Sequence, residues 1–294
     1  MENRFSHYLD WSHQPKKGLL RYLLGSVLIT GFSLYIGQMF SFVGALLIHS
    51  DSPAATIIKT TFFGFIFSFL LIPIIAAIIH RRPWWSIAMP YRSFNFKAFT
   101  VGFFSVVVLQ VISNLISYWL NPQNYHYKGA DWQTWIPMLF LYLIVFFVQV
   151  STEEMVYRGY LSQFVYRFSK SAWLVLLIPS IIFSLPHYGN IQGGAGIMAL
   201  VPYVIMGVMF GWLAYRSGSL WMPIGAHLAN NWFVTMFVGL SGENVQKISL
   251  FQTQSDVQSV YKLSLSMVVF AVLVIAICEL LMHRFGLIRK TLNQ

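Results

Sequence analysis

Apolar residues in this chain neither alternate nor recur on a single helical face; they run on in long blocks separated by short polar stretches. A helix needs roughly 20 such residues to cross the hydrocarbon core of a bilayer. Eight blocks meet or approach that length: 19–48, 57–79, 99–120, 136–152 with a helical extension, 173–187, 197–215, 220–240 and 263–282. The pattern predicts an all-α, polytopic transmembrane helix bundle of about eight spans, with the block at 173–187 short for a span. The first seventeen residues are polar and the run after them is too long for a signal-peptide core, so a retained helix is expected there. No internal repeat or long linker divides the chain, and residues 1–294 read as a single transmembrane domain.

Composition supports the same class: 57% of residues are hydrophobic and 10% charged, against roughly 25% charged in a soluble domain. A net charge of +10 would suggest nucleic acid in a soluble protein, but here the basic residues flank the apolar blocks, and no nucleic-acid partner is expected. Sorted by alternate loops, fifteen of the nineteen Lys and Arg residues fall on one side and only Lys59, Lys128, Lys247 and Lys262 on the other. The positive-inside rule then puts both termini in the cytoplasm, which an even number of spans satisfies. The stretch Arg81 to Lys97 is basic and aromatic, suited to anionic headgroups. The lone cysteine, Cys278, excludes an intramolecular disulfide and a Cys-rich metal site.

Against this background the informative residues are polar ones inside apolar blocks, since a charge at membrane depth costs several kcal/mol and usually faces a cavity or a partner. They form three groups. Glu153-Glu154-x-x-x-Arg158 places Glu154 and Arg158 one helical turn apart, able to pair, with Glu153 on a neighbouring face. Phe183-x-x-x-His187 follows, with Pro186 before the histidine and the glycine-rich YGNIQGGAG from residue 188. His227-x-x-x-Asn231 puts an imidazole and an amide on one helix face, with Asn230 competing for the role of Asn231. If the chain turns back near Lys170, Glu153 and His187 both lie 17 residues away from that turn, about 25 Å by the helical rise, and so at one depth. Non-helical backbone at that depth is tolerated only against protein or a water-filled cavity, so a cavity is expected close to His187.

These residue types suit hydrolysis. A partly buried carboxylate can take a proton from water, and a neighbouring histidine can orient that water or share the proton. A second histidine and an amide can donate to the oxyanion formed on a carbonyl. Glu153, His187 and His227 also suit zinc, which takes three protein ligands in catalytic sites. The chain has no His-Glu-x-x-His motif and no Gly-x-Ser-x-Gly motif.

Together, in this order and on separate spans, the three groups resemble the CAAX prenyl protease and bacteriocin-processing family, also called Abi, of intramembrane proteases. The flanking RGYL and GSLWMPIGAH are similar too, and the likeness covers roughly 136–240. The resemblance implies that Glu153 activates the attacking water with help from His187. It places His227 and Asn231 as the oxyanion hole, with Glu154, Arg158 and Phe183 in support. It implies a mechanism that needs no metal, with zinc as the alternative, and as substrate a peptide or lipidated peptide. A bacterial plasma membrane is the expected location, and a regulatory membrane protein is a possible partner. The competing expectation is a non-proteolytic scaffold or bacteriocin-immunity protein that retains the motifs. A transporter fits less well, because no repeat pairs or broken-helix symmetry appear. Glu279, within two turns of Arg284, is expected to snorkel or pair near the interface, and Gln110 and Asn114, on one face of the third span, are expected to make packing contacts, with lining of the cavity as the alternative.

Overall fold

A computed structural model of the chain describes residues 7–13, 19–31, 37–90, 92–188, 196–240, 248–253 and 260–290. Eleven α-helical stretches are found among these: α1 Leu19–Gly31, α2 Gly37–Leu47, α3 Pro53–Ile57, α4 Phe63–His80, α5 Phe96–Leu120, α6 Trp132–Glu154, α7 Ser162–Phe168, α8 Ala172–Ser184, α9 Val201–Ser217, α10 Trp221–Met236 and α11 Val260–Phe285. Two π-helical turns, Ile58–Phe62 and Met155–Leu161, join α3 to α4 and α6 to α7 without a break. Helices α3, α5 and α6 start where a side chain satisfies one of the first free N–H groups. Asn95 Oδ1 accepts from the Ala98 N–H at 2.9 Å and opens α5. Asp131 accepts from the Gln133 N–H at 3.2 Å and opens α6.

Five helices are long and apolar enough to cross a membrane: Pro53–His80, Phe96–Leu120, Trp132–Phe168, Gly196–Ser217 and Tyr261–Phe285. Leu19–Gly31 and Ala172–His187 are shorter apolar helices. The chain is an all-α membrane bundle. Its outer face suits that setting, with Trp119 80% and Leu20 77% exposed, an apolar surface that lipid covers without penalty. The expected span at 136–152 is part of a single helix of 37 residues. The expected span at 220–240 stops being helical at Met236, where the chain passes into a short strand.

The bundle has two distinct ends. At one, β1 Tyr125–Tyr127, β3 Phe251–Thr253 and β2 Val238–Leu240 form a small sheet in that order, β3 antiparallel to β1 and parallel to β2. Three-residue strands between long apolar blocks carry too little alternation to be read from sequence. At the basic end, a short helical turn, Tyr8–His13, packs into the bundle with Tyr8, Leu9, Asp10 and Ser12 buried. The Tyr8 N–H donates to the Gly218 carbonyl at 3.0 Å, and Gln163 Nε2 donates to the Tyr8 and Ser86 carbonyls at 3.0 and 2.8 Å. The Arg289 N–H donates to the Arg216 carbonyl at 3.0 Å, so both chain ends are tied to the α9–α10 turn.

Helix α10 is seated most tightly against α5. A Cβ on Gly102 would fall 2.2 Å from the Met222 carbonyl oxygen, and one on Gly225 would fall 2.1 Å from that of Phe99. Small residues let membrane helices approach to backbone contact, and these two glycines set the height and rotation of the helix that carries His227 and Asn231. Elsewhere Glu279 finds its partner on a neighbouring helix. Its carboxylate receives Arg216 Nε at 2.6 Å and Nη2 at 2.9 Å, and Trp212 Nε1 at 2.8 Å, all from α9. Packing of α11 on α9 brings that guanidinium closer than Arg284 of its own helix.

Candidate active site

The helix α6 ends at Glu154 and the chain continues through the π turn Met155–Leu161. A π turn widens the helix by one residue and shifts the faces that follow it, a feature frequent at functional sites. Here it carries Arg158 back over Glu154. Arg158 Nη1 donates to Glu154 Oε1 at 2.9 Å, and both side chains are buried. The guanidinium has more than one support. Its Nη2 donates to the Gly207 carbonyl of α9 at 3.1 Å, and its carbon lies 4.3 Å from the Phe183 ring centre, a cation–π contact.

His227 meets both glutamates. Its Nδ1 lies 2.9 Å from Glu154 Oε1 and its Nε2 lies 3.6 Å from Glu153 Oε2. A carboxylate accepts, so Nδ1 carries a hydrogen toward Glu154 and Nε2 is the nitrogen turned to Glu153. The ring is stacked on Phe210 at 4.5 Å and edged by Phe183 at 5.9 Å, which fixes its plane. Glu153 is partly exposed, and its other oxygen accepts from Gln149 Nε2 at 3.2 Å. One imidazole thus stands between two carboxylates, the deeper of which also holds the guanidinium.

His187 lies at the end of the turn Leu185–His187 that closes α8. Its Nδ1 donates to the Phe183 carbonyl at 2.9 Å, and its ring stacks on Tyr203 at 4.4 Å. With Nδ1 holding the hydrogen, Nε2 of the neutral ring offers a lone pair. Phe183 links the two histidines, its ring centre lying 4.8 Å from that of His187 and 5.9 Å from that of His227. The expected glycine-rich stretch, residues 189–195, lies outside the described residues, and with it the cavity expected beside His187. Asn231, one turn from His227, accepts from Asn230 Nδ2 at 3.3 Å.

The structure therefore gathers Glu153, Glu154, Arg158, Phe183, His187 and His227 into one cluster at the meeting of α6, the π turn, α8, α9 and α10, with Asn231 one turn along. Three contributors were missed in the sequence. Gln149 stands four residues before Glu153, a spacing that marks it as a helical neighbour. Phe210 and Tyr203 leave no such signal, because an aromatic residue in an apolar block reads as packing or lipid contact until the neighbouring helix is placed. The spacing predicts Glu154 as the partner of Arg158, and the structure gives it His227 as well. Among the described residues, no three of His, Cys, Asp and Glu stand together as a metal-ligand set.

Residues 134–233 match the family model described as "Type II CAAX prenyl endopeptidase Rce1-like". That segment contains all three motif groups, and it bears out the resemblance drawn from them. A curated relative, "Uncharacterized protein YyaK" of Bacillus subtilis (strain 168), is 29% identical over 161 residues, which is 54% of this chain and 54% of that protein. The match thus spans about half the length of the relative. No solved structure matches the chain.

Proposed function

We propose that this membrane protein, similar over residues 134–233 to the Rce1-like type II CAAX prenyl endopeptidases, is an intramembrane endopeptidase. The observation that carries the proposal is the approach of Glu153 and His227 to 3.6 Å, from two helices far apart in sequence, beside a buried Glu154–Arg158 pair. Glu153 is the one carboxylate of the pair that is partly exposed, and its neighbour Glu154 is occupied by Arg158 and His227. Glu153 takes a proton from water as that water attacks the peptide carbonyl, and His187 Nε2 orients the water or shares the proton. The proton then passes to the departing amine, which balances the hydrolysis.

His227 and Asn231 stabilise the oxyanion. For His227 to donate from Nε2 while Nδ1 remains bonded to Glu154, the ring must be an imidazolium. Each ring nitrogen then faces a carboxylate, Glu154 at 2.9 Å and Glu153 at 3.6 Å, much as a buried aspartate holds the histidine of a serine protease triad. The mechanism proposed needs no metal, with zinc on Glu153, His187 and His227 as the alternative, since the Nδ1 bonds of His187 and His227 leave each Nε2 open to either role. Activity that persists after chelation and dialysis is the expected result. The substrate is a membrane-associated peptide, lipidated or not. The location is a bacterial plasma membrane with the basic end of the bundle in the cytoplasm, and a regulatory membrane protein is a further partner.

The test compares peptides released from membranes of cells carrying the wild-type chain, Glu153→Ala or His187→Ala. A set of peptides that appears only with the wild type is expected, and an internally quenched peptide built on that sequence should lose at least about 100-fold in turnover with either variant. Identical peptide sets from all three would instead favour the scaffold reading, in which the motifs serve structure alone.

A further inference from the structure

Beyond the cluster, a line of side-chain hydrogen bonds runs from the small sheet to Asn231, and the chemistry above makes no use of it. Tyr125 of β1 donates its hydroxyl to Asn114 Oδ1 at 3.2 Å. Asn114 Nδ2 donates to the Gln110 backbone carbonyl at 2.8 Å and to Gln110 Oε1 at 3.4 Å. Gln110 Nε2 donates across the helix interface to Asn230 Oδ1 at 3.2 Å. Asn230 Nδ2 donates to Asn231 Oδ1 at 3.3 Å. Tyr125, Gln110, Asn114, Asn230 and Asn231 are all partly buried.

Every bond in this line points the same way. A carboxamide has an accepting oxygen and two donor hydrogens, and nothing in an isolated Asn decides which end faces a substrate. Here the oxygen of Asn231 is held by Asn230, whose own oxygen is held by Gln110. Only the Asn231 Nδ2 hydrogens are left to turn toward the reacting carbonyl. Asn230 has its oxygen and its nitrogen both engaged, which separates two adjacent residues that compete for one role. Bonds aligned in series polarise one another, so each donor is strengthened by the one behind it.

We infer that Gln110 and Asn230 are positioning residues, which act through Asn231 to fix it as an oxyanion donor and so make the α5–α10 interface part of the catalytic apparatus. The inference rests on the endopeptidase reading. It goes beyond the motif, because Gln110 lies outside the segment of family similarity. A competing role for the same residues is interhelical adhesion, since polar side chains hydrogen-bond across membrane helices. Adhesion would show itself in stability. Positioning shows itself in turnover.

Gln110→Met keeps the length and volume of the side chain and removes the amide. Assayed in proteoliposomes on the internally quenched peptide, it is expected to lower kcat roughly 10- to 100-fold with KM unchanged. Asn230→Leu should give the same signature, which guards against a folding failure peculiar to one variant. Combined with Asn231→Ala, Gln110→Met should cost nothing more, because its effect passes through the side chain already removed. Wild-type kcat in both Gln110→Met and Asn230→Leu, or an undiminished loss on the Asn231→Ala background, would overturn the inference. Loss of activity in Glu153→Ala alongside either result leaves the endopeptidase reading standing, whereas full activity in Glu153→Ala removes that reading itself.

Discussion

Arg158 is the residue on which the charge balance of the site turns. It is 1% exposed, pairs with a fully buried Glu154, and stacks its guanidinium on Phe183. Removing one member of a buried pair leaves the other uncompensated, at a cost of about 3–5 kcal/mol. Arg158→Ala should lower stability by that amount, read as a fall in thermal midpoint in detergent. Replacing both partners, as in Glu154→Gln with Arg158→Met, should cost less than Arg158→Ala alone, because no charge is then left buried. At this scale the sequence was informative about spacing and silent about partners across the bundle. The four-residue interval between Glu154 and Arg158 announced their contact. The contacts of Glu154 with His227 and of Arg216 with Glu279 span 73 and 63 residues, and no local regularity encodes them.

Among the elements, α10 shows how position is set by what is absent from a side chain. With Gly102 and Gly225 against backbone of the opposite helix, α5 and α10 touch over their first turns, and Gln110 reaches Asn230 further along. Gly225→Ala would press a methyl to 2.1 Å from the Phe99 carbonyl oxygen, which only a displacement of the helix can relieve. Overpacking of this kind costs roughly 1–3 kcal/mol. The variant should fold, melt earlier, and lose turnover about 100-fold, since a displacement near 1 Å at a catalytic group costs that much. A thermal melt together with a kcat measurement on the same preparation checks both parts. The blocks of apolar residues foretold that helices exist here, but which glycines face a neighbour and which face lipid depends on rotation about each axis.

For the whole molecule, closure of the basic end depends on His7. Its Nε2–H donates to the Tyr215 carbonyl at 2.7 Å, and its Nδ1 accepts from the Leu9 N–H at 3.1 Å. Burial holds its pKa down from 6.5 to about 4, against a smaller upward pull from the bond to Tyr215. A proton on Nδ1 would break the bond from Leu9. Above 6.5 the ring is neutral both folded and released, and the docked turn has its full stability. As pH falls from 6.5 toward 4 the released form takes up a proton that the docked form does not, and stability is lost, on the order of 3 kcal/mol by the lower limit. Amide hydrogen exchange at Tyr8 and Leu9 should quicken over that interval, and His7→Gln should flatten the dependence.

By itself the sequence determined the class of molecule, the place of most helices and the residue types of the candidate site. Hydrophobic transfer and helical spacing are local properties, readable within a window of about one span. Tertiary structure alone decided that Glu154 serves Arg158 and His227 together, that Gln110 reaches Asn230, and that the strand Tyr125–Tyr127 joins two strands from much later in the chain at one end. Those contacts depend on helix rotation, close glycine packing and a π turn, and each is chosen only when several long segments settle against one another.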